Sequence, residues 1–305
     1  MRFATQSGGA PSLQEWIDRA KRLEAMGYGT LAMPDHMVGG AWAAMPALAV
    51  AATVTQNLRV ATLVVDNDFR NPTVFARECA TVDVLSGGRF ELGIGAGWLD
   101  RDYQSTGIPF DRGRVRVARL AEAVTVMKRL FTEDQVTFDG EYYSVENAEC
   151  RPKTVQQPHP PFLIAGGGPE ILALAGREAS IVAIVPVGIT GSGRIPPEKF
   201  RIEAMREQIG LVRDAAGARF GEIELSMFLD CTLTDDREKA IAEQAEKSKV
   251  DPDTVRRNVY RGIGSLREIR DQIVRARDAV GITYFCLRGP DVEKLGSIVQ
   301  ELAGT

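Results

Sequence analysis

Hydrophobic residues along the chain gather into eight short runs, separated by longer segments of mixed polarity. Several runs are rich in β-branched residues and almost continuously apolar, which is typical of parallel strands buried on both faces. We therefore predict eight strands, at residues 2–5, 30–34, 59–65, 89–94, 161–166, 180–186, 223–229 and 283–289.

The segments between these runs have the apolar spacing of amphipathic helices. They cover residues 12–26, 42–56, 73–85, 114–131, 169–177, 197–216, 236–279 in pieces, and 291–303. Two of them begin with a capping-box sequence, Ser12 with Glu15 and Ser265 with Glu268. Eight strand-and-helix units in 305 residues predict an α/β fold of the TIM (β/α)8 barrel type, rather than an open doubly wound sheet.

The chain has no internal repeat and no low-complexity linker, so we predict a single domain over residues 1–305. Two segments are longer than a barrel connection needs: an insertion at about residues 134–160 and a glycine-rich loop at about residues 187–197. Long loops in a compact domain are commonly functional or mobile. We expect both at the C-terminal face of the barrel.

Composition limits the partners. The formal net charge is −4 and arginines are spread along the chain, so we expect no nucleic acid. The longest apolar run, residues 41–54, is too short to cross a bilayer and contains Pro46, which predicts a buried helix and no membrane association. Four widely spaced cysteines fit reduced thiols, and no signal-peptide pattern is seen at residues 1–9, so we predict a cytoplasmic protein.

Three alternate glycines, Gly93, Gly95 and Gly97, follow the fourth predicted strand. A Rossmann turn needs the spacing G-x-G-x-x-G with a helix directly behind it. Here the glycines are spaced G-x-G-x-G, and a polar, turn-rich segment follows until about Val115. We therefore expect no helix immediately behind them, and we interpret them as part of the rim of a barrel pocket.

In a (β/α)8 barrel the chemistry lies at the C-terminal ends of the strands. Those ends carry Asp35 and His36 after the second strand, residues 95–98 after the fourth, and three glycines at residues 166–168 after the fifth. Glycine lets backbone N–H groups approach a phosphate, and a helix opening at Pro169 would point its positive end there. The combination predicts an anion-binding cofactor site with one proton-transfer group.

Other polar residues have simpler interpretations. A lone histidine is commonly structural, which is the alternative for His36, and we expect His159 to be a loop residue. Arg70 and Arg89 are expected to bind neighbouring carboxylates such as Asp83. We list Arg194, in the loop after the sixth strand, as a phosphate or cofactor-tail contact. No cluster of metal-ligand residues is present in the sequence, so we predict no metal site.

Three stretches together carry a resemblance to a known family. They are "RNPTVFARECATVDVLSGGRFELGIGAGW" at residues 70–98, "PDH" at residues 34–36 and "IAGGGPEILALAGREAS" at residues 164–180. The chain resembles the luciferase-like monooxygenase superfamily, and particularly its branch that uses the deazaflavin coenzyme F-420. The resemblance covers the chain from the first strand to the eighth.

The resemblance implies roles for individual residues. Asp35 and His36 would lie beside the cofactor ring, with His36 as the catalytic proton donor, and a non-proline cis peptide at Leu63-Val64 would support the ring from behind. Cofactor phosphate contacts would fall on Gly95, Ala96, Gly97 and Trp98 and on Gly166, Gly167 and Gly168. In the sugar-phosphate dehydrogenases of this superfamily a glutamate of the first glycine turn donates a proton. This chain has Ala96 at the position we match to it, so we do not expect glucose 6-phosphate as the substrate.

The leading hypothesis is an F-420-dependent oxidoreductase that moves a hydride between the deazaflavin and a small organic substrate. The alternative is a monooxygenase that uses reduced FMN from a partner flavin reductase together with oxygen. A third hypothesis is a barrel that binds a flavin-type molecule without turnover. The resemblance also implies a homodimer.

Overall fold

The computed structural model describes residues 1–186 and 195–305. The predicted contact Arg194 and most of the loop predicted at residues 187–197 lie outside these described residues.

The strands form a closed parallel barrel, which confirms the predicted (β/α)8 fold. Around the barrel the order is β1, β2, β3 continued by β4, β5, β8, β9, β10 and β12, and β12 pairs with β1 to close it. The ranges are β1 Arg2–Gln6, β2 Thr30–Met33, β3 Arg59–Thr62, β4 Val65–Asp66, β5 Phe90–Gly95, β8 Phe162–Gly166, β9 Ile181–Ile184, β10 Glu224–Leu233 and β12 Tyr284–Arg288.

Helices surround the barrel in the predicted alternation. They are α1 Leu13–Ala25, α2 Ala44–Val54, α3 Pro72–Leu85, α5 Gly113–Thr132, α6 Pro169–Glu178, α7 Ile202–Ala216, α8 Arg237–Ser248, α9 Pro252–Arg256, α10 Leu266–Val280 and α11 Gly296–Leu302. The capping box of Ser265 and Glu268 is complete. At α1 only half of the predicted box forms, because Ser12 accepts a hydrogen bond from the Glu15 N–H and no reciprocal bond is present.

One prediction about this region is wrong: a helix, α4 at Asp100–Thr106, does lie directly behind the glycine turn. It has seven residues and buries only Asp102 and Tyr103. Such a short polar helix has no amphipathic stripe in its sequence, so hydrophobic periodicity could not reveal it. It ends at Gly107, which adopts a left-handed conformation.

The insertion at residues 134–160 is also placed differently from the expectation. It joins α5 to β8, so it belongs to a helix-to-strand connection, and none of its residues lines the cavity described below. Within it, β6 Val136–Asp139 and β7 Ser144–Ala148 form an antiparallel hairpin. A further unpredicted strand, β11 Arg261–Gly264, pairs with the end of β10.

A buried carboxylate inside the barrel connects several of its strands. Glu91 on β5, 1% exposed, accepts hydrogen bonds from the Arg59 Nε at 2.6 Å and the Tyr284 hydroxyl at 3.1 Å, and it also pairs with Arg2. Arg2 in turn pairs with Glu224 at 2.7 Å. Ion pairs thereby link residues of four barrel strands, and the hydrogen bond from Tyr284 adds a fifth.

The expectation that the two arginines bind carboxylates is confirmed for Arg70 and wrong for Arg89. The partner of Arg70 is Asp35, and neither arginine pairs with Asp83. Arg89 donates to backbone oxygens, including that of Ala52 at 2.7 Å, and Asp83 accepts from the backbone N–H groups of residues 155 and 156. Sequence neighbours suggested the pairs, whereas the barrel brings distant segments together.

The apolar run at residues 41–54 supplies the buried helix α2, as predicted. Within residues 1–186 and 195–305, no helix is long and apolar enough to cross a membrane. The four cysteines are free and buried.

Replacing Glu91 by Ala should lower the free energy of unfolding by about 3 kcal/mol, because Arg2 and Arg59 lose a buried partner. Urea unfolding followed by circular dichroism measures this. The matched control is Glu133→Ala, which removes the partner of Arg129 in an exposed pair and should leave the stability almost unchanged. Equal effects of the two substitutions would contradict the role given to Glu91.

Candidate active site

A cavity of about 1290 Å³ opens at the C-terminal ends of the barrel strands. All the residues predicted from the sequence to form the site line it. They are Asp35, His36, Leu63, Val64, Gly95, Ala96, Gly97, Trp98, Gly166, Gly167 and Gly168. The structure therefore brings these residues together, while their contact with a cofactor stays a prediction.

His36 is held in place by a carboxylate that the sequence did not single out. Its Nδ1 lies 2.7 Å from Oδ2 of Asp102, a buried residue of α4. The other oxygen of Asp102 accepts the backbone N–H groups of Met37 and Val38, at 2.9 and 3.0 Å. With Nδ1 engaged by Asp102, Nε2 is the ring nitrogen left for a ligand. Trp98 packs against the imidazole edge to face, with ring centroids 5.7 Å apart.

Asp35 is bound to the protein itself. Arg70 grips its carboxylate through both terminal nitrogens, one of them at 2.9 Å, and the same carboxylate accepts the Asp66 N–H at 3.1 Å. A bidentate arginine pair fixes the geometry of a carboxylate strongly. Asp35 therefore joins the loop after β2 to the segment after β3.

The predicted non-proline cis peptide is present at Leu63-Val64. The side-chain amide of Gln6 donates to the Leu63 carbonyl at 2.5 Å. A Cβ on Gly95 would come within 2.9 Å of the Val64 side chain. The absence of a side chain at Gly95 thus lets β5 pass close to this bend.

The glycine turn at residues 95–98 is shaped by the protein around it. Gly97 has a φ of +72°, and a Cβ there would come within 2.0 Å of the Tyr103 hydroxyl. Arg116 on α5, which is buried, donates to the carbonyls of Ala96 and Gly97 at 3.0 and 2.6 Å. The turn is thereby packed from behind by α4 and clamped by α5.

The second glycine turn combines packing with an open face. A Cβ on Gly166 would come within 2.3 Å of Ile171, and one on Gly167 within 2.4 Å of the Val185 carbonyl. Gln208 bridges the carbonyls of Gly167 and Val185. Gly168 is different, because a Cβ there would meet no atom of residues 1–186 and 195–305 within 4 Å, and α6, which begins behind it, has no side-chain cap among them. This is the predicted helix with its positive end towards the cavity.

The opposite wall of the cavity is basic and partly aromatic. Asp230 on β10 is in register with Arg288 on β12 and with Arg261 on β11, and it accepts a hydrogen bond from Arg288 at 2.8 Å. In the described part of the chain, the side chains of Arg261 and Lys249 form no ion pair. The hydroxyl of Tyr260, a residue only 6% exposed, lacks a hydrogen-bond partner among these residues. This wall can bind an anionic or hydrogen-bonding group.

Asp66 is the remaining buried carboxylate of the cavity. Burial raises the pKa of its side chain to about 6, even though the Asp68 N–H and the Tyr103 hydroxyl donate to Oδ1. Desolvation of the charged form is the main cause. The group therefore titrates close to neutrality.

The sequence analysis missed Asp102, Arg116, Gln208 and the basic wall. Asp102 and Arg116 lie on helices, and their roles depend on which loop packs over each helix. The glycine turn could have predicted a donor such as Arg116, because the carbonyl groups of a turn with a left-handed glycine need hydrogen-bond donors. Across residues 1–186 and 195–305, no group of three or more His, Cys, Asp or Glu side chains is placed to hold a metal ion.

Comparison with known proteins places the chain in a family. The family model described as luciferase-like monooxygenase matches residues 1–283. Among similar proteins is an F-420-dependent glucose-6-phosphate dehydrogenase from Intrasporangium calvum, 36% identical over 54% of this chain and 51% of that protein. One with the same name from Kineococcus radiotolerans is 31% identical over 73% of this chain and 65% of that protein. The matched regions thus span less than two thirds of these relatives.

Among solved structures, the coenzyme F-420-dependent tetrahydromethanopterin reductase from Methanopyrus kandleri superposes with a TM-score of 0.80 at 19% identity, covering 99% of this chain and 97% of that chain. At that identity the likeness shows the fold. The family model covers almost the whole chain, and the barrel and its rim agree with it. The chain belongs to the luciferase-like monooxygenase family.

Proposed function

We propose that the protein is an F-420-dependent oxidoreductase that transfers a hydride between the deazaflavin and a small organic molecule. The observation that carries the proposal is the imidazole of His36, fixed by Asp102 on the wall of a cavity large enough for a cofactor and a substrate. The names of the relatives support F-420 as the cofactor. A homodimer and a cytoplasmic location stay predictions.

The cavity residues fit such a cofactor. Leu63, Val64 and Trp98 offer apolar surface for a flat ring. The open face of Gly168 at the uncapped start of α6 suits a phosphate group, because backbone N–H groups of a first helical turn bind anions. When bound, F-420 supplies a ring carbon that gives or accepts the hydride.

The protein would contribute position and a proton. As the imidazolium, His36 would carry one proton at Nδ1, donated to Asp102, and a second at Nε2 for the substrate, and Asp102 would keep the ring in that orientation. The turn at residues 95–98 contains no carboxylate, so no acidic side chain of this turn can serve as the proton donor. The basic wall with Lys249 and Arg261 would hold an anionic group of the cofactor or substrate.

Equilibrium binding tests the choice of cofactor. F-420 should quench the fluorescence of Trp98 with micromolar affinity, and FMN should bind at least tenfold more weakly. Trp98→Phe should remove most of the fluorescence change and so identify its source among the three tryptophans. Tighter binding of FMN would favour the monooxygenase alternative, and binding of neither would contradict both.

A charge placed at the start of α6 tests the phosphate site. Gly168→Asp should weaken F-420 binding by about tenfold or more, because a carboxylate would repel the phosphate at a helix end that favours anions. Gly168→Ala is the matched control and should bind normally, since a side chain at this position has open space among the described residues and a methyl group cannot take the helix N–H groups from the phosphate. Gly168→Asp should melt at or above the wild-type temperature, because Asp is a good helix cap, so weaker binding would not come from a less stable fold. Equal affinities of the two variants would exclude a phosphate here.

Substitutions at the histidine pair test the proton role. With a substrate found by screening, His36→Ala should lower kcat by about 10²-fold or more, with little change in F-420 affinity. Asp102→Asn should lower kcat by about tenfold or more and alter its pH profile, because the amide no longer fixes the imidazole tautomer. The control is Asp100→Asn on the same helix, because the Asp100 side chain accepts a hydrogen bond from Gln104 and forms no ion pair among the described residues. Wild-type turnover in His36→Ala would disprove the assignment.

A further inference from the structure

Three carboxylates that line the cavity are more than nine-tenths buried: Asp35, Asp66 and Asp102. Asp35 is paired with Arg70 and Asp102 with His36. Asp66 forms no ion pair with any residue that the structure describes. A buried carboxylate without a cation is expensive to keep charged, and neutralisation by a proton is the usual solution.

The Tyr103 hydroxyl stands between two carboxylates. It lies 3.0 Å from Oδ1 of Asp66 and 3.1 Å from Oδ2 of Asp68. A phenol has a single hydrogen to donate, so only one of the two carboxylates can accept it at a time. Asp68 is itself paired with Arg119 at 2.9 Å, whereas Asp66 has no paired cation among the described residues. A proton on Oδ2 of Asp66 removes one of the two negative charges beside the hydroxyl and leaves Oδ1 as a neutral carbonyl oxygen.

The second oxygen of Asp66 is available to a ligand. Its Oδ2 accepts no hydrogen bond from the described residues, and a Cβ on Gly97 would come within 2.3 Å of it, so it lies against the glycine turn in the cavity wall. Asp66 lies two residues after Val64, the second residue of the cis peptide at which the cofactor ring is expected. The group therefore stands beside the site proposed for the ring.

We propose that Asp66 binds the cavity ligand as a neutral carboxylic acid, with Oδ2 donating a hydrogen bond to an oxygen or nitrogen acceptor of that ligand. The identity of the ligand rests on the function proposed above, whereas the protonation of Asp66 does not. Buried carboxylic acids kept neutral in this way act as hydrogen-bond donors in other enzymes.

The charges that face Asp66 are compatible with this state. Asp68 from the adjoining 3-10 turn and Asp35 from the loop after β2 disfavour a further negative charge, and Arg116 from α5 favours it while remaining engaged by the carbonyls of residues 96 and 97. Burial is the largest influence and raises the pKa of Asp66 to about 6 in the free protein. A ligand that covers Oδ2 removes more water and favours the neutral form further.

The free protein tests protonation without any cofactor. The infrared difference between wild type and Asp66→Asn should contain the C=O stretch of a protonated carboxylic acid, lost as the pH rises through about 6.

The free energy of unfolding should depend on the same proton. The folded state holds it more tightly than the unfolded state, so wild type loses stability relative to Asp66→Asn as pH rises from about 3.8 to about 6, and the difference is constant above that. Asp100→Asn should show neither effect.

Ligand binding tests the hydrogen bond. The affinity of wild type for F-420 should fall by up to about tenfold for each pH unit once free Asp66 has lost its proton, because binding then requires proton uptake. Asp66→Asn keeps an N–H donor at every pH, so its affinity relative to wild type should rise from pH 5 to pH 8. The ratio cancels any titration of the coenzyme itself. Asp66→Ala should bind more weakly than Asp66→Asn throughout.

Each negative result has a distinct meaning. A ratio that does not change with pH, or wild-type affinity in Asp66→Ala, would overturn the proposed hydrogen bond. Absence of the infrared band in the free protein at pH 5 would overturn the protonated state. If wild type bound neither F-420 nor FMN, the proposed function would fail, and the infrared and stability measurements would still decide the protonation of Asp66.

Discussion

The arrangement of the site depends on the carboxylate of Asp102. One oxygen engages the imidazole of His36, and the other accepts two successive backbone N–H groups of the following loop. A single buried group thus sets the orientation of a side chain and the path of its loop. Because Asp102 belongs to α4, which begins just behind the glycine turn, the same contact also fixes the distance between that turn and His36.

Other rim loops are fixed by the same means, with a charged or amide side chain reaching across to a neighbouring loop. Arg70 holds Asp35, Arg116 holds the carbonyls of the first glycine turn, and Gln208 holds those of the second. Arg116 and Gln208 donate from the helices α5 and α7, and Arg70 donates from the bend just before α3. Preorganisation of this kind allows a barrel rim to present a defined cavity without a metal or a disulfide.

The glycines of the two turns in the cavity wall are explained mainly by packing, and not by cofactor approach alone. Protein atoms occupy the space that side chains would need at Gly95, Gly97, Gly166 and Gly167, and of the predicted set Gly168 alone has open space among the described residues. The start of α6 is therefore the place where we propose a phosphate group. The first turn serves mainly to shape the cavity and to leave room for Tyr103 and Asp66.

The barrel and most of the described cavity residues named as the site could be predicted from the sequence. The eight apolar runs gave the barrel, and their ends gave the residues around the cavity, because parallel strands fix both burial and the face on which side chains emerge. The helix α4 was not predicted because it is short and polar. The roles of Asp102 and Arg116 were not predicted because their partners are backbone groups or loop residues that only the folded barrel brings near. Pairings such as Arg70 with Asp35 likewise join segments 35 residues apart.

The most direct test of this account is the protonation pattern of the His36 ring, measured from imidazole nitrogen chemical shifts by NMR. The chain has only two histidines, so a His159→Gln variant assigns the signals. We expect Nδ1 of neutral His36 to carry the proton, donated to Asp102, and Nε2 to be unprotonated and to face the cavity. A neutral ring protonated at Nε2 would contradict it.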